Sequence, residues 1–262
     1  MPSIGTVDLP DRLERERYFR ELDYLELSML YAGPLKPGVI AKWKAAPPKS
    51  IGLVAPWVLT DRVAPKAPRV WDHDATVGAF RDSAPGRAAL AAYKSVLTDL
   101  DCACAVFRSP SVFAASAANR DLMTKFFGEV ATAETLGVPI VWIPDGLWDP
   151  MTAITFAREL GVTCAFDPMV REPGQSPEMF YDLDVESLYF RISGLGRAGA
   201  IRSERQEDLA MLIESYESVP VTVAFDSPQR WQDARNFRKL LAASSSSSSS
   251  VEVEEEEDDA EG

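Results

Sequence analysis

The sequence predicts an α/β protein, a (β/α)8 or TIM barrel. Three observations carry that prediction. Eight short apolar runs recur, at 3–6, 23–28, 50–56, 102–107, 138–143, 161–167, 187–193 and 220–226. They are rich in Val, Ile, Phe and Ala, and several are apolar on both faces, as parallel strands covered on both sides are. Helical patterns alternate with them. Eight such units fit the roughly 240 residues that precede the C-terminal tail, whereas an open doubly wound sheet of this length usually has fewer strands. Periodicity alone leaves the open sheet as the alternative.

Each connection has legible ends. The first helix is expected over Asp11 to Leu22 and the second over Pro37 to Ala46. A long polar segment, Asp61 to Ala84, precedes a third helix over Pro85 to Leu97. The next runs from about Ala117 to Leu136, where Gly137 stops it. Asp149 caps a helix whose first residue is Pro150, and Gly161 ends it. The connection from Pro168 to Glu186 reads as irregular, with at most a short helix. Ser203 and Gln206 have the spacing of a capping box for a helix over 204–217. Ser227 and Pro228 start the last helix, which is expected to end near Leu241.

One barrel domain over 1–243 and a disordered tail over 244–262 follow. Ser244 to Ser250 is an unbroken serine run, and Val251 to Gly262 holds eight carboxylates and no base. Such a composition buries almost nothing apolar and cannot offset the entropy of ordering. The formal charge is −13; the tail supplies −8 of it, leaving −5 for 1–243. With no basic stripe, nucleic-acid binding is not expected. The tail reads as a solubilising appendage or as an acidic arm for a basic partner.

Met1 to Arg20 is too charged for a signal peptide, and no apolar run approaches the ~20 residues of a membrane span. The expectation is a soluble, cytoplasmic protein with no membrane partner; the oligomeric state is not legible. Cys102, Cys104 and Cys164 are an odd set, and a C-x-C pair without a nearby His is no metal motif. Cys102 and Cys104 are expected on one face of a strand as buried thiols. The single histidine, His73, lies among polar neighbours in "WDHDAT" and reads as an exposed loop residue.

In such barrels chemistry sits at the C-terminal ends of the strands. Alternation places Tyr24, Glu26 and Ser28 on one inward face. It does the same for Tyr189, Arg191 and Ser193, for Thr163, Ala165 and Asp167, and for Thr222, Ala224 and Asp226. Glu26 and Arg191 are charges in the middle of apolar strands, where an unpaired charge is costly. Glu26, Asp167 and Asp226 are the candidate partners of Arg191 and the candidate general bases. The arginine is either half of a structural ion pair or a ligand-facing fork for carboxylate or phosphate. The stretch "SGLGR" places Ser193, Gly194, Gly196 and Arg197 in the loop after strand seven, a position that binds anions in many barrels. Arg108 could assist, and Trp142, Trp148 and Trp57 could wall the site. Glu26, Asp167 and Asp226 could also hold Mg²⁺, although the spacing requires no cofactor and no metal.

The strand-end motifs resemble those of the YecE-like family, the domain of unknown function 72. "LDYLELSMLYAGP" is similar to the family's V-E-L-N-S-T-F-Y segment, "VFRSPSVF" to F-Q-L-P-P-S-F, "IVWIPDGLW" to V-E-F-R-H-P-S-W, "LYFRISG" to V-Y-V-R-L-H-G, and "AFDS" to Y-F-N-N. The resemblance spans Ile4 to Leu241 and implies a TIM barrel. Glu26, Arg191, Gly194 and Trp148 match the family pattern. Ser28, Val54, Arg108, Trp142, Pro144, Asp145, Ser193 and Asp226 depart from it, so the implied lining is largely rewritten. The resemblance supplies no reaction. Two readings stand: a divergent mouth that binds a small anionic ligand, catalytic or not, and a non-catalytic barrel used for binding or scaffolding.

Overall fold

The computed structural model describes residues 1–45, 50–170, 176–194, 199–216 and 218–251. Of Pro177 and residues 245–251 only the backbone is described. All eight expected strands form: β1 Ser3–Val7, β2 Tyr24–Leu27, β3 Ile51–Val54, β4 Cys104–Arg108, β5 Ile140–Ile143, β6 Thr163–Phe166, β7 Leu188–Ile192 and β8 Val221–Phe225. Each pairs in parallel with the next, and β8 pairs with β1, so the sheet closes into a barrel. Closure decides against the open sheet.

The helices are α1 Arg15–Glu21, α2 Pro37–Lys44, α3 Trp57–Thr60, α4 Ala84–Asp99, α5 Ala117–Lys125, α6 Ala133–Leu136, α7 Pro150–Glu159, α8 Ser203–Glu214 and α9 Arg230–Val251. Asp149 caps α7 by accepting from the Thr152 N–H at 2.9 Å, and Gly161 takes φ +68° past its end. Gly137 does the same after α6 with φ +77°. Among the described residues between β6 and β7, a short 3₁₀ turn, Pro177–Phe180, is the one helical piece.

The strand pleat divides the core in two. Outward residues such as Phe107, Trp142, Phe190 and Phe225 pack under the helices. Inward residues such as Val7, Val54, Val106, Val141, Ile143 and Ala165 fill the barrel. Each fully buried side chain of this size contributes about 1.5–3 kcal/mol relative to exposure.

Several local expectations are corrected. The helix expected over 117–136 breaks into α5, a π turn at Phe126–Val130 and α6. Phe126 and Phe127 are consecutive and both buried, against Phe80 and Phe107. The extra residue of a π turn lets neighbouring rings share one face. Helix α3, just before the polar segment that begins at Asp61, was not expected, and all four of its residues are buried. Cys102 and Cys104 do not share a face: Asp101 at φ +49° makes a turn, Cys102 joins the outer core and Cys104 points into the barrel. Ser203 is the first residue of α8, not its cap, and the Gln206 side chain donates to the Ile201 carbonyl at 3.3 Å. Helix α9 continues past Leu241 to Val251, since extending a formed helix adds a hydrogen bond without a new nucleus. Residues 252–262 lie outside the described ones.

Candidate functional site at the barrel mouth

The polar interior is built from four neighbouring strands, in the order β7, β8, β1, β2. Tyr24 and Glu26 point inward from β2, and Tyr189 and Arg191 from β7. Asp226 follows β8 directly. Burial forces these groups to satisfy one another. The Tyr189 hydroxyl donates to Glu26 Oε2 at 2.5 Å. Its oxygen lies 2.9 Å from the Tyr24 hydroxyl, which lies 3.5 Å from Cys104 Sγ. With the Tyr189 proton committed to Glu26, Tyr24 donates to Tyr189 and the thiol donates to Tyr24. Gly52 makes room for this string: a Cβ there would sit 1.9 Å from the Tyr24 hydroxyl oxygen.

Arg191 joins the string to the mouth. Its Nε donates to Glu26 Oε1 at 3.2 Å, and its Nη1 lies 2.9 Å from Asp226 Oδ2. The Glu26 side chain is 1% exposed, Arg191 19% and Asp226 35%, so the row runs from the sealed interior towards water. Burial pushes the Glu26 carboxyl above the usual carboxylate range, opposed by the Arg191 guanidinium and the Tyr189 hydrogen bond. Burial also raises the Cys104 thiol to about 12, which keeps it protonated. Among the described residues, Arg191 Nη2 has no hydrogen-bond partner.

The remaining strand ends clasp one another. Asp167, after β6, accepts from the Ser193 N–H and hydroxyl, both at 2.8 Å, and from the Met169 N–H at 2.9 Å. Burial raises its carboxyl, against those donors. On the opposite edge Asp8, after β1, accepts from the Ser28 N–H at 2.8 Å and from its hydroxyl at 2.5 Å. Asp8 holds φ +53° to do so. Tyr31 donates to Asp61 at 2.9 Å, and Arg108 pairs with Asp145 at 2.6 Å.

The predicted site residues therefore divide. Glu26, Arg191 and Asp226 come together as expected. Asp167 does not reach Arg191 and is paired with Ser193 instead. Arg108 sits on the rim in its own ion pair. Gly194 has a steric reason for being glycine: φ is +67°, and a Cβ would lie 2.8 Å from Ser227 Cβ. Gly196 and Arg197 lie outside the described residues.

The tryptophan wall is overturned. Trp142 is fully buried on the outward face of β5, donating to Ser109 Oγ at 2.7 Å. It neither lines nor plugs the mouth. Trp148 stacks on Phe156 beneath the helices, and Trp57 is sealed in the same outer layer. Both faces of "IVWI" are apolar, so the strand's phase is not readable from alternation. The three carboxylates considered for Mg²⁺ do not converge, and the described residues contain no cluster of three or more metal-binding side chains. His73 is exposed, with Nδ1 at 2.9 Å from the Trp71 carbonyl. No described helix is long and apolar enough to cross a membrane.

Asp8 and Asp61 fall at strand ends in the sequence, but sequence reasoning gave them no role in the mouth, and it missed Tyr31. No local signal marked Tyr31, whose bond to Asp61 depends on how the segments after β2 and β3 meet.

This architecture is a TIM barrel, similar in fold to the xylose isomerase domain protein of Planctomyces limnophilus (TM-score 0.54, 13% identity, 92% of this chain and 96% of that one). The fold is also that of solved proteins of the domain of unknown function 72 family, the family whose motifs the strand ends resemble. The Enterococcus faecalis member superposes with a TM-score of 0.66 at 14% identity, over 92% of this chain and 96% of that one. The Thermotoga maritima member gives 0.58 at 13% identity, over 91% and 99%. At such identities the likeness is one of fold. No family model and no curated protein matches the sequence.

Proposed function

We propose that this chain is a divergent member of that family and that its barrel mouth binds a small molecule carrying a single carboxylate, held by Arg191. The carrying observation is that Arg191 Nη2 has no partner among the described residues, while Nε and Nη1 are held by Glu26 and Asp226. A guanidinium held on two sides is pre-organised to offer its remaining edge. Charge argues for a singly charged group over a phosphate dianion. Among the described residues, Asp8, Glu26, Asp61, Asp145, Asp167 and Asp226 stand at or near the strand ends against Arg108 and Arg191. Glu26 would act as a positioning group, sealed from ligand, and Asp226, half-buried beside Arg191, as the carboxylate placed to move a proton.

The test is thermal-shift titration with hydroxycarboxylates, their neutral analogues and sugar phosphates. Hydroxycarboxylates should raise the melting temperature most. Asp226→Asn should tighten the response about tenfold, because it removes a competing charge, and Arg191→Lys should abolish it. If no carboxylate stabilises either the wild type or Asp226→Asn, the reading fails.

A non-catalytic scaffold is the second reading. It is favoured by the mutual pairing of Asp8 with Ser28, Asp167 with Ser193 and Arg108 with Asp145, which leaves few strand-end groups for chemistry. Turnover of any small molecule by the purified protein would exclude it.

A further inference from the structure

The polar row ends at the mouth in two charged groups, each with an unused side. Arg191 pairs with Ala224 across β7 and β8, so Asp226 takes the next inward position towards the mouth. The Asp226 N–H donates to the Ile192 carbonyl at 2.7 Å, which ties it to the same two strands. Arg191 Nη1 lies 2.9 Å from Asp226 Oδ2. Among the described residues, Asp226 Oδ1 has no hydrogen-bond partner, and neither has Arg191 Nη2 with its two N–H groups. A donor and an acceptor therefore stand side by side, joined by one ion pair.

Charge restricts what can use both. One guanidinium already answers two carboxylates, those of Glu26 and Asp226. Arg108, on the rim, is committed to Asp145 at 2.6 Å. A bare carboxylate on Nη2 would be a third anion around one cation, facing Asp226, and like charges so placed are costly. A ligand that brings its own cation to Asp226 removes that cost.

We propose that the mouth ligand is a free 2-amino acid, with its carboxylate on Arg191 Nη2 and its ammonium on Asp226 Oδ1. This rests on the reading that Arg191 holds a carboxylate, and it names the class of molecule. A 2-amino acid carries its anion and its cation on adjacent carbons, which suits a donor and an acceptor that are neighbours in the protein. A 2-hydroxy acid sets a neutral donor opposite Asp226 and leaves the third anion uncompensated. A peptide does not fit, because its two charged ends are separated by at least one peptide unit. Asp226 is then the group that reads the amino function. Strand pairing and the ion pair fix both protein groups before the ligand arrives, so binding orders little.

The experiment is a thermal-shift titration of the full chain with alanine, leucine, serine, glutamate and lysine. Each is compared with its 2-hydroxy acid, its N-acetyl derivative and its amide. At least one amino acid should act at about tenfold lower concentration than its hydroxy acid, the difference between a charge-assisted and a neutral hydrogen bond. N-acetylation, which removes the cation without touching the protein, should abolish that gain. The amide, which lacks the anion, should not stabilise. Asp226→Asn should reverse the order, weakening the amino acid and tightening the hydroxy acid; the second response shows that the variant is folded. Three results overturn the inference and leave the carboxylate reading standing: hydroxy acids that match the amino acids, N-acetyl derivatives that match them, or an amino preference that survives Asp226→Asn. Amides that match the acids, or no response to any carboxylate in the wild type and in Asp226→Asn, overturn both.

Discussion

The two halves of the barrel interior solve the same packing problem with different chemistry. On the β3 to β6 side, Val54, Val106, Val141, Ile143 and Ala165 fill the space with hydrocarbon. On the β7, β8, β1 and β2 side, Tyr24, Glu26, Tyr189 and Arg191 fill it with groups that must be paired. The strand geometry is the same in both. The apolar half is specified by volume, so damage there leaves a cavity. The polar half is specified by connectivity, so damage there leaves an orphaned charge. A half built on connectivity is also the one able to accept a further polar partner.

The sharpest way to break this contrast is Arg191→Met. It strands Glu26 at 1% exposure and should cost about 3–5 kcal/mol in urea unfolding. Val106→Ala in the apolar half should cost only about 2 kcal/mol. Pairing Arg191→Met with Glu26→Leu should recover most of the larger loss. Equal costs for the two single variants would erase the distinction.

Gly52→Ala comes next. The new Cβ would meet the Tyr24 hydroxyl, so the string must shift, at about 1–3 kcal/mol. Tyr24→Phe in the same chain should relieve part of that loss, and additive costs would show that the contact does not matter.

The pH dependence sharpens the contrast in a third way. The Glu26 carboxyl is raised above its ordinary 4.5 in the folded protein, so folding favours its protonated form. That contribution is fully present below about pH 4.5 and is lost as pH rises through the raised value. Melting curves from pH 4 to 8 should show the wild type losing stability relative to Glu26→Gln as pH increases. The opposite trend would mean that attraction to Arg191 outweighs burial.

The smallest effect belongs to the rim. Arg108 and Asp145 form a surface pair, with the arginine side chain 48% exposed. Arg108→Ala should change stability by about 0–1 kcal/mol, less at high salt. A loss as large as that of Arg191→Met would place Arg108 inside the connected half.

The polar half was legible in the sequence and the apolar half's phase was not. Glu26 and Arg191 announce an inward face because a mid-strand charge has few other places to go. Trp142 announces nothing, since its neighbours Val141 and Ile143 are as apolar as it is. The pairing of Asp167 with Ser193 depends on two adjacent strand ends meeting, a contact between segments 26 residues apart that no local pattern encodes. The turn at Asp101 that sends Cys102 outward is equally silent, because an aspartate tolerates φ +49° without the glycine that would flag it. The eight strands themselves were plain, because short apolar runs of that length alternate with helices whose ends are marked, although their closure into a barrel rests on β8 meeting β1.

The bond between Arg191 and Glu26 spans 165 residues of chain. During synthesis at roughly 5–20 residues per second, Glu26 waits about 10–30 s for its partner to leave the ribosome. Until then an N-terminal fragment holds a carboxylate with no cation to answer it, and no half-barrel can close over it at low cost. The pair thus works as a checkpoint on completeness: a truncated chain is penalised at the position where the finished one is joined.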